Sequence, residues 1–111
     1  MPRDQAYLLD ILNSARKAME YLGNKSYAEF ESNQECLDAI IRRIEIIGEA
    51  SSRVSADTKK RLPDLPWAEM KGMRNLLIHE YDAIDTEEVW RTVKNDLPPL
   101  ILMLEEVIVN P

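Results

Sequence analysis

The residues able to do chemistry gather in one short stretch, Met70-Lys71-Gly72-Met73-Arg74-Asn75-Leu76-Leu77-Ile78-His79-Glu80-Tyr81, which contains the only histidine of the chain. An imidazole exchanges protons near neutral pH. A guanidinium grips phosphate oxygens through paired, charge-assisted hydrogen bonds. These types suit cleavage of an RNA phosphodiester without a metal, which needs a base for the 2′-hydroxyl proton, an acid for the leaving 5′-oxygen and positive charge for the phosphorane. His79 and Arg74 are therefore the candidate catalytic pair. Lys71, Asn75 and Tyr81 are candidates for binding the substrate or supporting the pair.

The spacing sets a geometric problem. On a helix Arg74 and Tyr81, seven apart, share one face, and Asn75 and His79, four apart, share another. Arg74 and His79, five apart, point about 140° from each other at 3.6 residues per turn. One regular helix does not aim both at one phosphate. Either the helix unwinds at His79, or two copies of it face each other across a two-fold axis. The second solution supplies two imidazoles and two guanidiniums to a shared cleft, and so favours a symmetric homodimer. Structural roles compete for each residue. A histidine at a helix end can cap it, Arg74 can pair with Glu69 or Asp82, Asn75 can cap a neighbouring backbone, and Tyr81 can close the core.

Helices must position this stretch, because apolar residues repeat at steps of three and four along almost the whole chain. Leu8, Ile11, Leu12, Ala15, Met19 and Leu22 form the first stripe, with Asp4 as N-cap and Gly23-Asn24 as the stop. Residues 26–33 read as a turn or short helical linker. Leu37, Ile40, Ile44, Ile47, Ser51 and Val54 form the second stripe, and Gly48 inside it marks a close approach of another helix. Residues 57–66, with Pro63 and Pro66, read as a connection. Pro66 then opens a helix whose inner face is Trp67, Met70, Met73 and Leu77. That helix ends around His79. A last one begins at Asp85 or Thr86 with Glu88 as capping-box partner, runs through Val89, Val93, Leu97, Leu100, Leu104 and Val107, and is kinked at Pro98. The expected fold is all-α, an antiparallel up-down four-helix bundle with a short extra helix or helical linker, occupying residues 1–111 as one domain.

Composition narrows the function classes. A single cysteine, Cys36, allows no internal disulfide and no cysteine-based metal site, and nothing in the pattern calls for a cofactor. Asp4 and Asp10 interrupt the N-terminal stretch where a signal peptide would be apolar, and Leu97–Leu104 is far shorter than the ~20 residues of a membrane span, so a cytoplasmic protein without a membrane partner is expected. The net charge of −6 argues against a broad nucleic-acid-coating surface. Its distribution is uneven. Residues 1–55 sum to −2 (seven Lys/Arg, nine Asp/Glu), 56–79 to +2 (five, three) and 80–111 to −6 (two, eight), so the only net-positive stretch is the one ending at His79.

Arg74-Asn75-Leu76-Leu77-Ile78-His79-Glu80-Tyr81 resembles the Arg-x4-His-x-Tyr signature of the HepT proteins of the HEPN superfamily. The likeness extends to Ile46-Ile47-Gly48-Glu49-Ala50, to Pro66-Trp67 before Gly72-Met73-Arg74-Asn75, and to Tyr81-Asp82-Ala83-Ile84-Asp85 followed by Val89-Trp90 and Asp96-Leu97-Pro98. It covers nearly the whole chain. The resemblance implies a helical bundle, a homodimer with the motif at its interface, and metal-independent endoribonuclease activity of a toxin. It also implies a partner, an MNT-type nucleotidyltransferase antitoxin that transfers AMP onto the motif tyrosine, here Tyr81. An adenylylated Tyr81 would place bulk and negative charge beside Arg74. The alternative is a non-catalytic subunit that uses the same residues to bind a nucleotide or its nucleotidyltransferase partner.

Overall fold

The computed structural model describes residues 2–79 and 85–109, with the side chains of 3–74 and 85–108. They form α1 (Pro2–Leu22), α2 (Tyr27–Glu31), α3 (Gln34–Arg53), α4 (Ala56–Arg61), α5 (Trp67–His79), α6 (Thr86–Arg91), a π-helical turn (Thr92–Asp96) and α7 (Leu97–Val109), with no strand among the described residues. α3 is the centre of the packing. It lies against α1 on one side and α5 on the other, while α7 packs on α1.

The apolar stripes read from the sequence become the core. Leu37, Ile40, Ile44, Ile47, Ser51 and Val54 are all buried, as are Leu8, Ile11, Leu12, Ala15 and Leu22 of α1. In α1 the fully buried residue of the fifth turn is Ala18, and Met19 is only half-buried beside it. Met70 and Met73 of α5 and Val89, Val93, Leu97, Leu100 and Leu104 of the C-terminal helices complete the interior, whereas Val107 is partly exposed. Leu77 lies among the residues whose side chains are not described. No helix among the described residues is long and apolar enough to cross a membrane.

Local signals start and stop the helices. Gly23 takes φ +54° and its N–H donates to the Met19 carbonyl, ending α1 in the left-handed turn that glycine adopts at no steric cost. Ser26 and Glu29 cap α2 reciprocally, through Ser26 N–H to Glu29 Oε1 (2.8 Å) and Glu29 N–H to Ser26 Oγ (3.2 Å). The 26–33 linker is thus a capped helix, and it is also a plug. Phe30 is fully buried, 5.6 Å from the Trp90 ring, and Tyr27 meets the same ring edge-on at 5.4 Å. Asp85 caps α6 as expected, accepting from Glu88 N–H, but the Glu88 carboxylate pairs with Arg91 instead of returning to the cap.

Three expectations change. Asp4 is not an N-cap: α1 begins at Pro2, and the Asp4 carboxylate, buried, accepts from Ser55 N–H (3.1 Å), Ser55 Oγ (2.6 Å) and Thr58 Oγ1 (2.6 Å). The connection at 57–66 contains a helix, α4, whose own N-cap Ser55 is held by that carboxylate. Pro66 stands one position before α5, where its carbonyl accepts from Met70 N–H at 3.0 Å.

Where a kink is expected at Pro98, the structure has a π-helical turn just before the proline. Pro98 and Pro99 open α7 directly after that turn, and having no N–H they leave carbonyls of the turn without their usual helical donors. The preceding π-helical turn lets Leu97 N–H reach back to the Thr92 carbonyl, five residues earlier.

The hydroxyls of Ser55 and Thr58 hold the Asp4 carboxyl at about 2, well below the ordinary carboxylate range. Because the folded value is depressed, the stability that ionised Asp4 contributes is fully present above the unfolded value near ~4 and is lost as pH falls through the folded one. Thermal midpoints of the native chain and Asp4→Asn should therefore differ at pH 6 and converge between about pH 4 and pH 2. A gap that stays constant down to pH 2 would show that Asp4 does not act through its charge.

Candidate active site

α5 carries the candidate residues, and α3 fixes where α5 lies. A Cβ built on Gly48 would come 2.6 Å from Arg74 Cβ and 3.1 Å from Arg74 Cα and N. No L side chain fits there, so the glycine inside the α3 stripe is the space into which the Arg74 backbone packs. The close approach read from Gly48 in the sequence is this contact, and it falls on the candidate arginine itself.

The next residue of α3 continues the arrangement. Glu49 Oε1 lies 3.5 Å from Arg74 Nη2, and Glu49 Oε2 lies 3.5 Å from Arg53 Nη2. One carboxylate thus serves two guanidiniums, one from its own helix and one from α5. Neither Glu69 nor any described acid other than Glu49 pairs with Arg74. Asp82, the other partner that the sequence allows, lies outside the described residues. Glu49 and Arg53 are the site neighbours that sequence reasoning does not single out. Their spacing of four, acid first, is a visible sign of a helix-surface pair. Nothing in the sequence says that Arg74 joins it.

Arg74 keeps 44% of its side chain exposed, so a phosphate from solvent can reach it. Lys71, three residues earlier on α5, is exposed and shares its face. Asn75 and His79 belong to the same helix as Arg74, which continues to His79. Their side chains, and Tyr81 altogether, lie outside the described residues. Gly72, exposed on α5, has open space within 4 Å of the point where a Cβ would stand, so unlike Gly48 it answers no contact among the described residues. Among the described residues no three His, Cys, Asp or Glu side chains gather as metal ligands.

The sequence matches the family model described as "Ribonuclease HepT-like" over residues 11–107, from the middle of α1 almost to the end of α7. "Putative RNase MJ1380" of Methanocaldococcus jannaschii is 44% identical over 96 residues, covering 86% of this chain and 88% of that protein. "Probable ribonuclease HepT" of Thermococcus cleftensis is 39% identical over 94 residues, 85% of this chain and 86% of that one. "Putative RNase TTE0752" of Caldanaerobacter subterraneus is 30% identical over 108 residues, 97% of this chain and 96% of its own. No solved structure gives a significant match. With a family match that takes in α5 and the helices that brace it, and relatives aligned over most of both chains, the chain belongs to the HepT-like ribonuclease family.

Proposed function

We propose that this protein is a metal-independent endoribonuclease, the toxin of a toxin–antitoxin pair, acting as a homodimer in the cytoplasm. The observation that carries the reading is family membership together with a solvent-accessible Arg74 packed at Gly48 on the helix that also bears His79. α5 is helical from Trp67 to His79, which keeps Arg74 and His79 about 140° apart within one copy. That angle favours the two-copy solution, in which α5 of each protomer faces the two-fold axis. The finer fold assignment, one 1–111 domain built as an antiparallel up-down four-helix bundle from α1, α3, α5 and the α6–α7 arm, belongs to the same proposal.

In the cleft His79 takes the proton of the RNA 2′-hydroxyl, whose oxygen attacks the adjacent phosphorus, and the partner's imidazole protonates the departing 5′-oxygen. Arg74 neutralises the charge that builds on the phosphorane, and Lys71 draws the backbone in. Asn75 orients His79 or the substrate. Tyr81 supports the site and is the acceptor of AMP from an MNT-type nucleotidyltransferase antitoxin; the added phosphate competes with RNA for Arg74.

The deciding experiment incubates the purified, unmodified full-length protein with a labelled tRNA or mRNA in EDTA. Cleavage at substoichiometric protein is the expected result. Retention of intact RNA without cleavage would replace the enzyme with the alternative, a nucleotide-binding subunit.

A further inference from the structure

Three charged side chains meet where α3 and α5 come closest. Arg53, Glu49 and Arg74 keep 62%, 48% and 44% of their side chains exposed, and water screens ion pairs at such exposure to little net stability. The Arg53–Glu49 half is an ordinary pair four residues apart on one helix. The Arg74–Glu49 half is not local, because Arg74 arrives from another helix and is delivered by the Gly48 contact. The result is two guanidiniums converging on the two oxygens of one anion.

A phosphodiester offers the same acceptors, two unbridged oxygens sharing a negative charge, and the guanidinium fork fits either anion. We infer that Arg53 is a second phosphate-gripping residue, that it and Arg74 clamp one phosphate of the RNA strand, and that Glu49 holds the place of that phosphate in the free protein. The inference rests on the reading of Arg74 as an RNA-contacting residue and extends it onto α3. Being half exposed, the Glu49 carboxylate turns into water when RNA arrives, at small cost. Lys71, one turn before Arg74, continues the line of positive charge along α5. The contacts are to backbone phosphate, so the clamp positions a strand without reading its bases.

The test measures binding of a single-stranded RNA oligonucleotide carrying 2′-O-methyl groups, which lacks the attacking hydroxyl and stays intact, across a series of salt concentrations. The proteins are the native chain, Arg53→Gln, Arg74→Gln, the double variant and Arg16→Gln. Arg16 pairs with Glu105 of α7 and is the control for removing a surface arginine elsewhere. Arg53→Gln should weaken binding roughly three- to tenfold, and the double variant, which leaves the shared phosphate ungripped, should lower the slope of log affinity against log salt by about 0.7, one phosphate contact on a single strand. Since both arginines hold one phosphate, the double variant should lose less than the product of the two single losses. If Arg53→Gln behaves like Arg16→Gln while Arg74→Gln binds weakly, Arg53 is not part of the clamp and the reading of Arg74 survives. If neither Arg53→Gln nor Arg74→Gln differs from Arg16→Gln, the reading of Arg74 falls as well.

Discussion

His79→Ala should cut RNA cleavage by at least ~10³-fold while leaving the helical content and the oligomeric state of the protein unchanged. A positioned general acid or base contributes about 10²- to 10⁴-fold. In a symmetric dimer the substitution removes both imidazoles at once, the one that accepts the 2′-hydroxyl proton and the one that protonates the 5′-oxygen, and the chain has no other histidine to substitute. Binding of intact RNA should persist, because the charge that grips phosphate comes from Arg74 and its neighbours. The measurement is a single-turnover cleavage assay in EDTA, with circular dichroism and sedimentation on the same sample. Cleavage at the native rate by His79→Ala would end the acid–base mechanism, whatever the role of Arg74.

The second large effect concerns the two glycines that flank the site. Gly48→Ala places a methyl group 2.6 Å from Arg74 Cβ, close to the α5 backbone and so unable to be relieved by rotation of a flexible chain end. Overpacking of this kind costs about 1–3 kcal/mol, against a gain of up to ~1 kcal/mol from better helix propensity. A net loss is expected, and with it weaker cleavage, because the displaced backbone is that of Arg74. Gly72→Ala has open space around it and should stabilise the chain by roughly 0.5–1 kcal/mol in urea denaturation. Equal responses of the two variants would mean that the α3–α5 approach does not depend on the missing side chain at 48.

The same two glycines show what the sequence can and cannot reveal. Gly48 interrupts an apolar stripe, so a partner helix is expected there, and the stripe itself, six residues from Leu37 to Val54, is buried without exception. The identity of the residue pressed against Gly48 depends on how α5 is docked, and no local pattern encodes docking. Asp4 is legible as an acid at a helix start, where capping is the common use. Its actual partners, Ser55 and Thr58, are some fifty residues away, the N-cap and a member of a helix, α4, whose six residues have too little apolar periodicity to stand out beside Pro63 and Pro66. Glu49 is hidden for the same reason as the partners of Asp4. Its pairing with Arg53 follows from spacing, but its contact with Arg74 exists only once α3 and α5 lie together.

Residue types are the more legible part of the site. Arg74 stands at the surface of α5, within a chain that belongs to a ribonuclease family.

The wide turn at Thr92–Asp96 has a bearing on which lengths of this arm the fold tolerates. Successive steps of four, from Val89 to Val93 to Leu97, would drift by about 80° around a regular helix, and the extra residue held in the turn takes that drift out so that Leu97, Leu100 and Leu104 still face inward. Deleting one residue between 92 and 96 would remove the surplus and let the arm wind regularly with Leu97, Leu100 and Leu104 still inward, whereas inserting one more would carry everything after it about 100° around the axis and turn Leu100 and Leu104 toward water. An insertion that a surface loop would absorb is therefore not neutral in this segment, although it stands apart in sequence from every candidate site residue, and a single deletion is the change it tolerates best.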